Sequence, residues 1–461
     1  MLIEMLAASV ALQLSEAELP RIPLDQAREE IRIVYDRIAE THPDPYWFHS
    51  QAEWEALRDR LLASETPPTS VDHYFDLAEL MAMALDTHVQ IYPGEDTPGF
   101  QTSYPVRFRV FEEGIFVSAA DDPYRDWVGQ RVVGIGGQDV ETLARDLTRY
   151  AFSDNPTRQY SWSVEHLLIQ PATYLHLGMM DEAGRVAVEL TSSSGERSHA
   201  YLDETVDAGL LDVIDGGTSE AYFWPEGWTT LDSLSVAPTP LSRTRLHENY
   251  WYELIDNGRT AYVQFNTSSD AEDGPGFIDF TLALFTELNA LETPPERIII
   301  DARYNLGGWI ERGFPLAFLS GQRPFCCDTV STILLIGPET ISAGSVFAGV
   351  MEIAANPLVI GQPTGGRPNI FMNHSGIDLP YSGFYAESSS AIYTGTDTSD
   401  HRIQVNPDIL IPERFDDFMA GRDVVLERAL TVTEEEADLY WPSGSWMRPW
   451  DRPSQDSALP D

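Results

Sequence analysis

Between Leu24 and about Ser64 apolar residues recur every three or four positions. In "LDQAREEIRIVYDRIAETH" Ala27, Ile31, Val34 and Ile38 share one helical face, and the prolines of "HPDPYWF" end the pattern. "SQAEWEALRDRLLAS" predicts a second helix and "SVDHYFDLAELMAMAL" a third, closing just before Asp86-Thr87-His88. From residue 89 the period falls to two: "YPVRFRVFEEGIFVSAA" alternates and "GRVAVELTSSSGERSHAYL" predicts a hairpin. No period survives in 206–250, which reads as a linker or surface excursion. From Trp251 onward strands and helices alternate: "RTAYVQFN", "ERIIIDAR", "STILLIG" and "PLVIG" as strands, with "GFIDFTLALFTELNAL", "WIERGFPLAFLSG" and "SAGSVFAGVMEIAAN" as helices between them. Continuous apolar strands separated by helices predict an α/β fold with a mostly parallel sheet covered by helices.

The resulting divisions are a leader-like stretch (1–22), a helical N-terminal domain (23–88), a β-rich module (89–205), the excursion (206–250), an α/β core (251–430) and a tail (431–461). Within the β-rich module, "DWVGQRVVGIGGQDVETLARDL" gives strand, glycine turn, short strand and helix, an order that resembles a PDZ-like module. Gly134, Gly136 and Gly137 are turn glycines there and not a nucleotide fingerprint, since no helix opens directly after them.

Length and charge narrow the function. The chain has 461 residues, 43% of them hydrophobic, enough for two or three packed domains. Acidic residues outnumber basic ones 73 to 29, a net charge of −44. This argues against a nucleic-acid partner, which needs clustered cations, and fits a solvated surface suited to salty surroundings. No apolar run is long enough to span a membrane. "MLIEMLAASVALQLSEAELP" carries Glu4 and lacks a positive start, so a periplasmic or secreted location rests on a weak signal only. Cys326 and Cys327 are adjacent; they offer no metal spacing and read as strand residues. All 29 basic residues are arginine, which excludes a neutral lysine as general base.

Sites in α/β sheets form where strands end. Three such places stand out: "IIIDARYNLGG", "ETISAGSVFAG" and "VIGQPTGGRPN". Glycines after the first strand, Gly307 and Gly308, let backbone N–H groups approach a ligand oxygen. Ser342 and Ser345 sit at the turn into a helix, where a serine serves either as a nucleophile or as an N-cap. A serine nucleophile needs an adjacent base, and without lysine a histidine suits that role. Asp44 and Asp86 read as turn and cap residues.

Taken in order, "DARYNLGG", "TISAGS", "IGQPTGGRPN" and "VNPDILIP" resemble the S41 family of serine peptidases, over residues 25–430. That family includes C-terminal processing proteases, tricorn core proteases and interphotoreceptor retinoid-binding proteins. The resemblance implies a ClpP/crotonase-like αβ core and a serine peptidase that acts on peptide or protein substrates without metal or cofactor. Its "[ST]-x-S-A-x-[ES]" turn falls on Ser342 as nucleophile, with Ser345 at the helix start. It implies Ala343 and Gly307 or Gly308 as oxyanion donors. Processing-protease members carry a catalytic lysine in "G-x-x-T-x-G-K"; Arg367 stands there instead, either bracing its loop or binding a substrate carboxylate. The tricorn-like branch implies His88 as base, Thr87 as auxiliary hydroxyl and an acid before "PD", for which Asp400 is the choice and Asp408 the second. A homo-oligomer is compatible with this reading. Two alternatives share the fold: a non-catalytic binding protein, and a hydrolase of small esters or amides.

Overall fold

The computed structural model describes residues 19–95, 97–207, 227–322 and 331–440. The leader-like start before residue 19, most of the 206–250 excursion up to residue 226, Cys326, Cys327 and the tail beyond 440 lie outside the described residues. The rest forms two compact units: residues 19–207, 227–236 and 371–392, and residues 237–322, 331–370 and 393–440.

The first unit opens with helices Leu24–Thr41, Gln51–Leu62 and Ser70–Ala82, where the three-and-four spacing places them. Helix Leu24–Thr41 ends because Pro43 drives the preceding residue out of the helical region; His42 is extended, at φ −67° and ψ 133°. A capping box formed by Ser50 and Glu53 starts the second helix. Ile31, Val34, Ile38, Trp54, Phe75 and Leu77 of these helices are buried, Phe75 stacking on His176 at 4.4 Å. A buried polar contact ties helix Leu24–Thr41 to helix Ser70–Ala82: His73 Nε2 lies 2.8 Å from Glu30 Oε2, and Glu30 Oε1 accepts the Tyr381 and Ser382 N–H groups at 2.7 and 2.9 Å.

An antiparallel sheet follows, with strands Val106–Phe111, Gly114–Ala120, Arg131–Ile135, Val186–Thr191 and Arg197–Leu202. The expected hairpin is its last pair, from Val186↔Leu202 to Thr191↔Arg197. Helix Val140–Leu147 is capped by Asp139, whose side chain accepts the Thr142 N–H. Helical turns Pro156–Trp162, Ser163–Leu167 and Pro171–His176 occupy a stretch in which periodicity predicts no element. A smaller sheet joins Gln90–Tyr92 to the long strands Tyr385–Thr394 and Asn369–Asp378.

In the second unit a six-stranded sheet runs in sequence order: Tyr250–Ile255, Thr260–Phe265, Arg297–Asp301, Thr332–Ile336, Leu358–Gly361 and Ile409–Leu410. The first pair is antiparallel and every later pair parallel. Ile298, Ile299, Ile300, Ile333, Leu334, Leu335 and Ile336 are wholly buried, each such side chain stabilising the core by about 1.5–3 kcal/mol. One face packs Ile299, Ile333 and Leu335 with Val425, Leu426 and Ala429 of helix Val424–Thr431. Helices Phe277–Ala290 and Ala343–Ala354 meet Phe265 through Phe277 and Phe347, at ring centroid distances of 4.3 and 5.0 Å. The C-terminal ends of the parallel strands therefore all open toward one edge of the sheet, where the three loops singled out in the sequence emerge.

Candidate active site

Strand Thr332–Ile336 runs through a tight turn into helix Ala343–Ala354, and Ser342 is the residue on which the chain reverses. Its backbone sits at φ 49°, ψ −125°, a strained combination for a residue with a Cβ. An ordinary N-cap would be extended and would accept an N–H from the first turn; Ser342 does neither, for its side chain makes no capping bond. Ser345 is fully buried, and its hydroxyl donates to the Ser342 carbonyl at 2.7 Å. Of the two serines, one is tied into the helix start and the other is held out by the backbone.

The turn is fixed from beneath. Thr340 Oγ1 donates to the Ala302 carbonyl at 2.8 Å and accepts the Gly337 N–H, and Ile341 N–H donates to the Asn305 carbonyl at 3.0 Å. Asn305, wholly buried, is the hub of the neighbouring loop: its Nδ2 donates to the Phe265 carbonyl at 3.1 Å, and its Oδ1 accepts the Gly307 N–H at 3.0 Å. Gly307 has φ 110°, and a Cβ there would lie 2.7 Å from Ser342 Cβ and 3.2 Å from the Ala343 nitrogen. Only glycine brings this loop so close to the serine. Of the three expected oxyanion donors, Gly307 N–H is thus occupied by Asn305. Among the described residues the Ala343 and Gly308 N–H groups have no acceptor. The third loop joins the same cluster, Gly366 N–H donating to the Thr340 carbonyl at 3.2 Å. Arg367 beside it is 4% exposed, a buried side chain and not a surface one.

Asp400, also in the second unit, is spoken for. Arg402 Nε donates to its Oδ1 at 3.0 Å, while Oδ2 takes Arg402 Nη2 and Thr396 Oγ1, both at 2.9 Å. Arg402 reaches on to Glu352 at 2.7 Å, so Asp400 is part of an ion-pair network that fastens its own loop to helix Ala343–Ala354. Asp408 serves the sheet, its Oδ2 accepting the Val359 N–H at 2.8 Å.

His88 belongs to the first unit, as does Thr87, which is held through its backbone: its N–H donates to Asp154 Oδ1 at 2.8 Å. Asp86 shapes this turn, its Oδ1 accepting the His88 N–H at 2.8 Å across two residues in an Asx-type turn. The same oxygen lies 3.4 Å from His88 Nδ1. Within this unit the acid beside the histidine is therefore Asp86. Burial alone would push the His88 imidazole down; Asp86, with a smaller contribution from Asp154, outweighs it and holds the group above its ordinary value. For Asp86, burial would raise the carboxyl, but the hydrogen bonds of His42 and His88 bring it far below the usual carboxylate range.

Sequence reasoning missed Asn305, Thr340 and the role of Asp86. The D-x-H spacing was a usable signal for the last, since an Asp two residues ahead closes an Asx turn onto its own neighbour. Among the described residues no group of three or more His, Cys, Asp or Glu side chains could hold a metal ion, and no helix is long and apolar enough to cross a membrane.

No family model and no curated relative matches the chain. Its fold does match solved structures. Mature CPAF complexed with lactacystin aligns with a TM-score of 0.59 at 12% identity, over 90% of this chain and 99% of that one. A second structure of mature CPAF aligns with a TM-score of 0.58 at 12% identity, over 92% and 99%. The photosystem II D1 C-terminal processing protease aligns over 84% of this chain and 93% of that one, at 15% identity and a TM-score of 0.39. The chain has a mixed α/β fold that resembles S41 peptidases at low sequence identity.

Proposed function

We propose that the protein is a serine hydrolase of the S41 kind that cleaves peptide bonds through an acyl-enzyme. The carrying observation is Ser342: a strained, uncapped serine at a strand-to-helix turn, followed by an Ala343 N–H without an acceptor. Its hydroxyl oxygen attacks the substrate carbonyl, and the proton passes to His88. Collapse breaks the C–N bond, and the proton goes to the leaving amine; water then hydrolyses the ester by the same route. Ala343 and Gly308 hold the oxyanion, while Gly307 and Asn305 hold that loop against the serine. The pairing of Ser342 with His88, and the part given to Thr87, rest on the sequence resemblance. The same reading takes the six-stranded unit as a ClpP/crotonase-like core and the antiparallel sheet as PDZ-like; the S41-like fold favours peptides as substrates.

The test is cleavage of an unfolded protein and of fluorescent peptides. Wild type should cleave them, and Ser342→Ala should lose about 10³-fold or more of kcat. Hydrolysis of simple esters without any peptide cleavage would favour the small-substrate reading instead, and no turnover of either would leave a binding protein.

A further inference from the structure

Asp86 lies at the centre of a buried polar cluster in the first unit, built from residues far apart in the chain. Its Oδ2 accepts the Ser389 hydroxyl and lies 3.2 Å from His42 Nε2, contacts that span 303 and 44 positions. His42 itself is fixed: Asp44 N–H donates to its Nδ1 at 3.2 Å, so the ring proton sits on Nε2 and is given to Asp86. With Oδ2 filled in this way, Oδ1 serves His88 alone, taking its N–H at 2.8 Å and standing 3.4 Å from Nδ1. Asp86 is 2% exposed, Ser389 0% and His42 4%. A carboxylate so far from water stays ionised only where donors surround it, and this one has a donor on each side.

We propose that Asp86, held by His42 and Ser389, is the residue that positions His88, keeping its neutral ring in the Nδ1–H tautomer and leaving Nε2 as the basic nitrogen. This rests on the reading of His88 as the base for Ser342. The serine proton goes to Nε2 as the C–O bond forms and leaves from Nε2 to the amine as the C–N bond breaks; Asp86 remains ionised throughout. At 3.4 Å the contact is not yet a hydrogen bond, and buried Nδ1 makes none; the proposed role has it tighten as the ring becomes charged in the reaction. Asp400, in the second unit, already binds Arg402 and Thr396 through both of its oxygens.

Other groups also face the His88 ring. Asp154 and the Phe371 carbonyl favour the charged ring, and His374 meets it edge-on at 5.3 Å while bound to Glu387 at 2.7 Å. Removing the Asp86 charge leaves these in place, so the midpoint falls without collapsing. A lower midpoint moves the acid limb of the rate profile to lower pH, since the base form then persists further into acid.

The test is a titration of 15N-histidine-labelled full-length protein, with the His88 signals assigned by their loss in His88→Ala. Wild type alone already decides one point: a neutral ring protonated at Nδ1 supports the proposal, and one protonated at Nε2 overturns it. Asp86→Asn should lower the His88 midpoint, shift the neutral ring toward Nε2–H and cut kcat by about 10²–10⁴-fold with KM little changed. Asp400→Asn should leave the His88 midpoint where it is. An unmoved midpoint in Asp86→Asn, or an equal shift in Asp400→Asn, would overturn it. Peptide cleavage that needs Ser342 but persists undiminished in Asp86→Asn would defeat this inference and spare the hydrolase. The predicted tautomer in a protein that hydrolyses nothing would defeat the hydrolase and with it the catalytic role of Asp86.

Discussion

The chemistry proposed for this chain depends on single residues held in conformations that few residues adopt. Gly307 shows this most directly: at φ 110°, an added Cβ would stand 2.7 Å from Ser342 Cβ and 3.0 Å from its hydroxyl oxygen. Gly307→Ala should therefore cost about 1–3 kcal/mol of stability and lower kcat at least about tenfold, through displacement of the serine or of the Gly308 amide. Thermal melts and steady-state kinetics check both; an unchanged kcat would mean that the loop plays no part in the reaction. The serine turn was legible in the sequence because small residues follow a buried strand there. What letters could not convey was the backbone angle of Ser342, or that Ser345 donates to the Ser342 carbonyl. Asp86 reads as a cap residue, yet no helix starts there; its carboxylate closes a turn onto the His88 N–H instead. Its partners His42 and Ser389 are too far along the chain for any local pattern to reveal them.

Elements were legible where burial is continuous and obscure where it is mixed. The strands ending at Phe265, Asp301, Ile336 and Gly361 are buried along almost their whole length and announce themselves as apolar runs. Strands Asn369–Asp378 and Tyr385–Thr394 mix exposed residues with buried Ser388 and Ser389, so neither strict alternation nor an apolar run marks them. Pro156 and Pro171 look like breakers but occupy the first turns of helices, where a missing N–H is no loss. The turn at Tyr381 and Ser382 is anchored to helix Leu24–Thr41 by Glu30, whose carboxyl burial would raise but whose contacts with His73 and the two N–H groups hold low. A carboxyl depressed in the fold adds stability above its unfolded value and loses it as pH falls through the folded one. Glu30→Ala should destabilise by about 3–5 kcal/mol at neutral pH, with the gap to wild type closing in acid. Unfolding in denaturant across that pH range tests it, and a difference independent of pH would contradict a role for the ionised Glu30 carboxylate.

At the scale of the whole chain, sequence order and spatial grouping part company. Residues 371–392 follow the third loop of the six-stranded sheet, yet they belong to the first unit and bring Ser389 to Asp86. A linear reading of 251–430 as one core has no means of showing a chain that leaves one unit and returns. Composition, by contrast, speaks for the entire chain: with 29 arginines and no lysine, the general base has to be sought elsewhere, and histidine is the group that titrates in the right range. The central claim is that Ser342 is a nucleophile. Its most direct test is to treat full-length wild type, Ser342→Ala and Ser345→Ala with a serine-reactive phosphonate and map adducts by peptide mass spectrometry. One adduct on Ser342, retained in Ser345→Ala and absent from Ser342→Ala, is the predicted result. A protein that stays unlabelled, or an adduct that persists in Ser342→Ala, would contradict it.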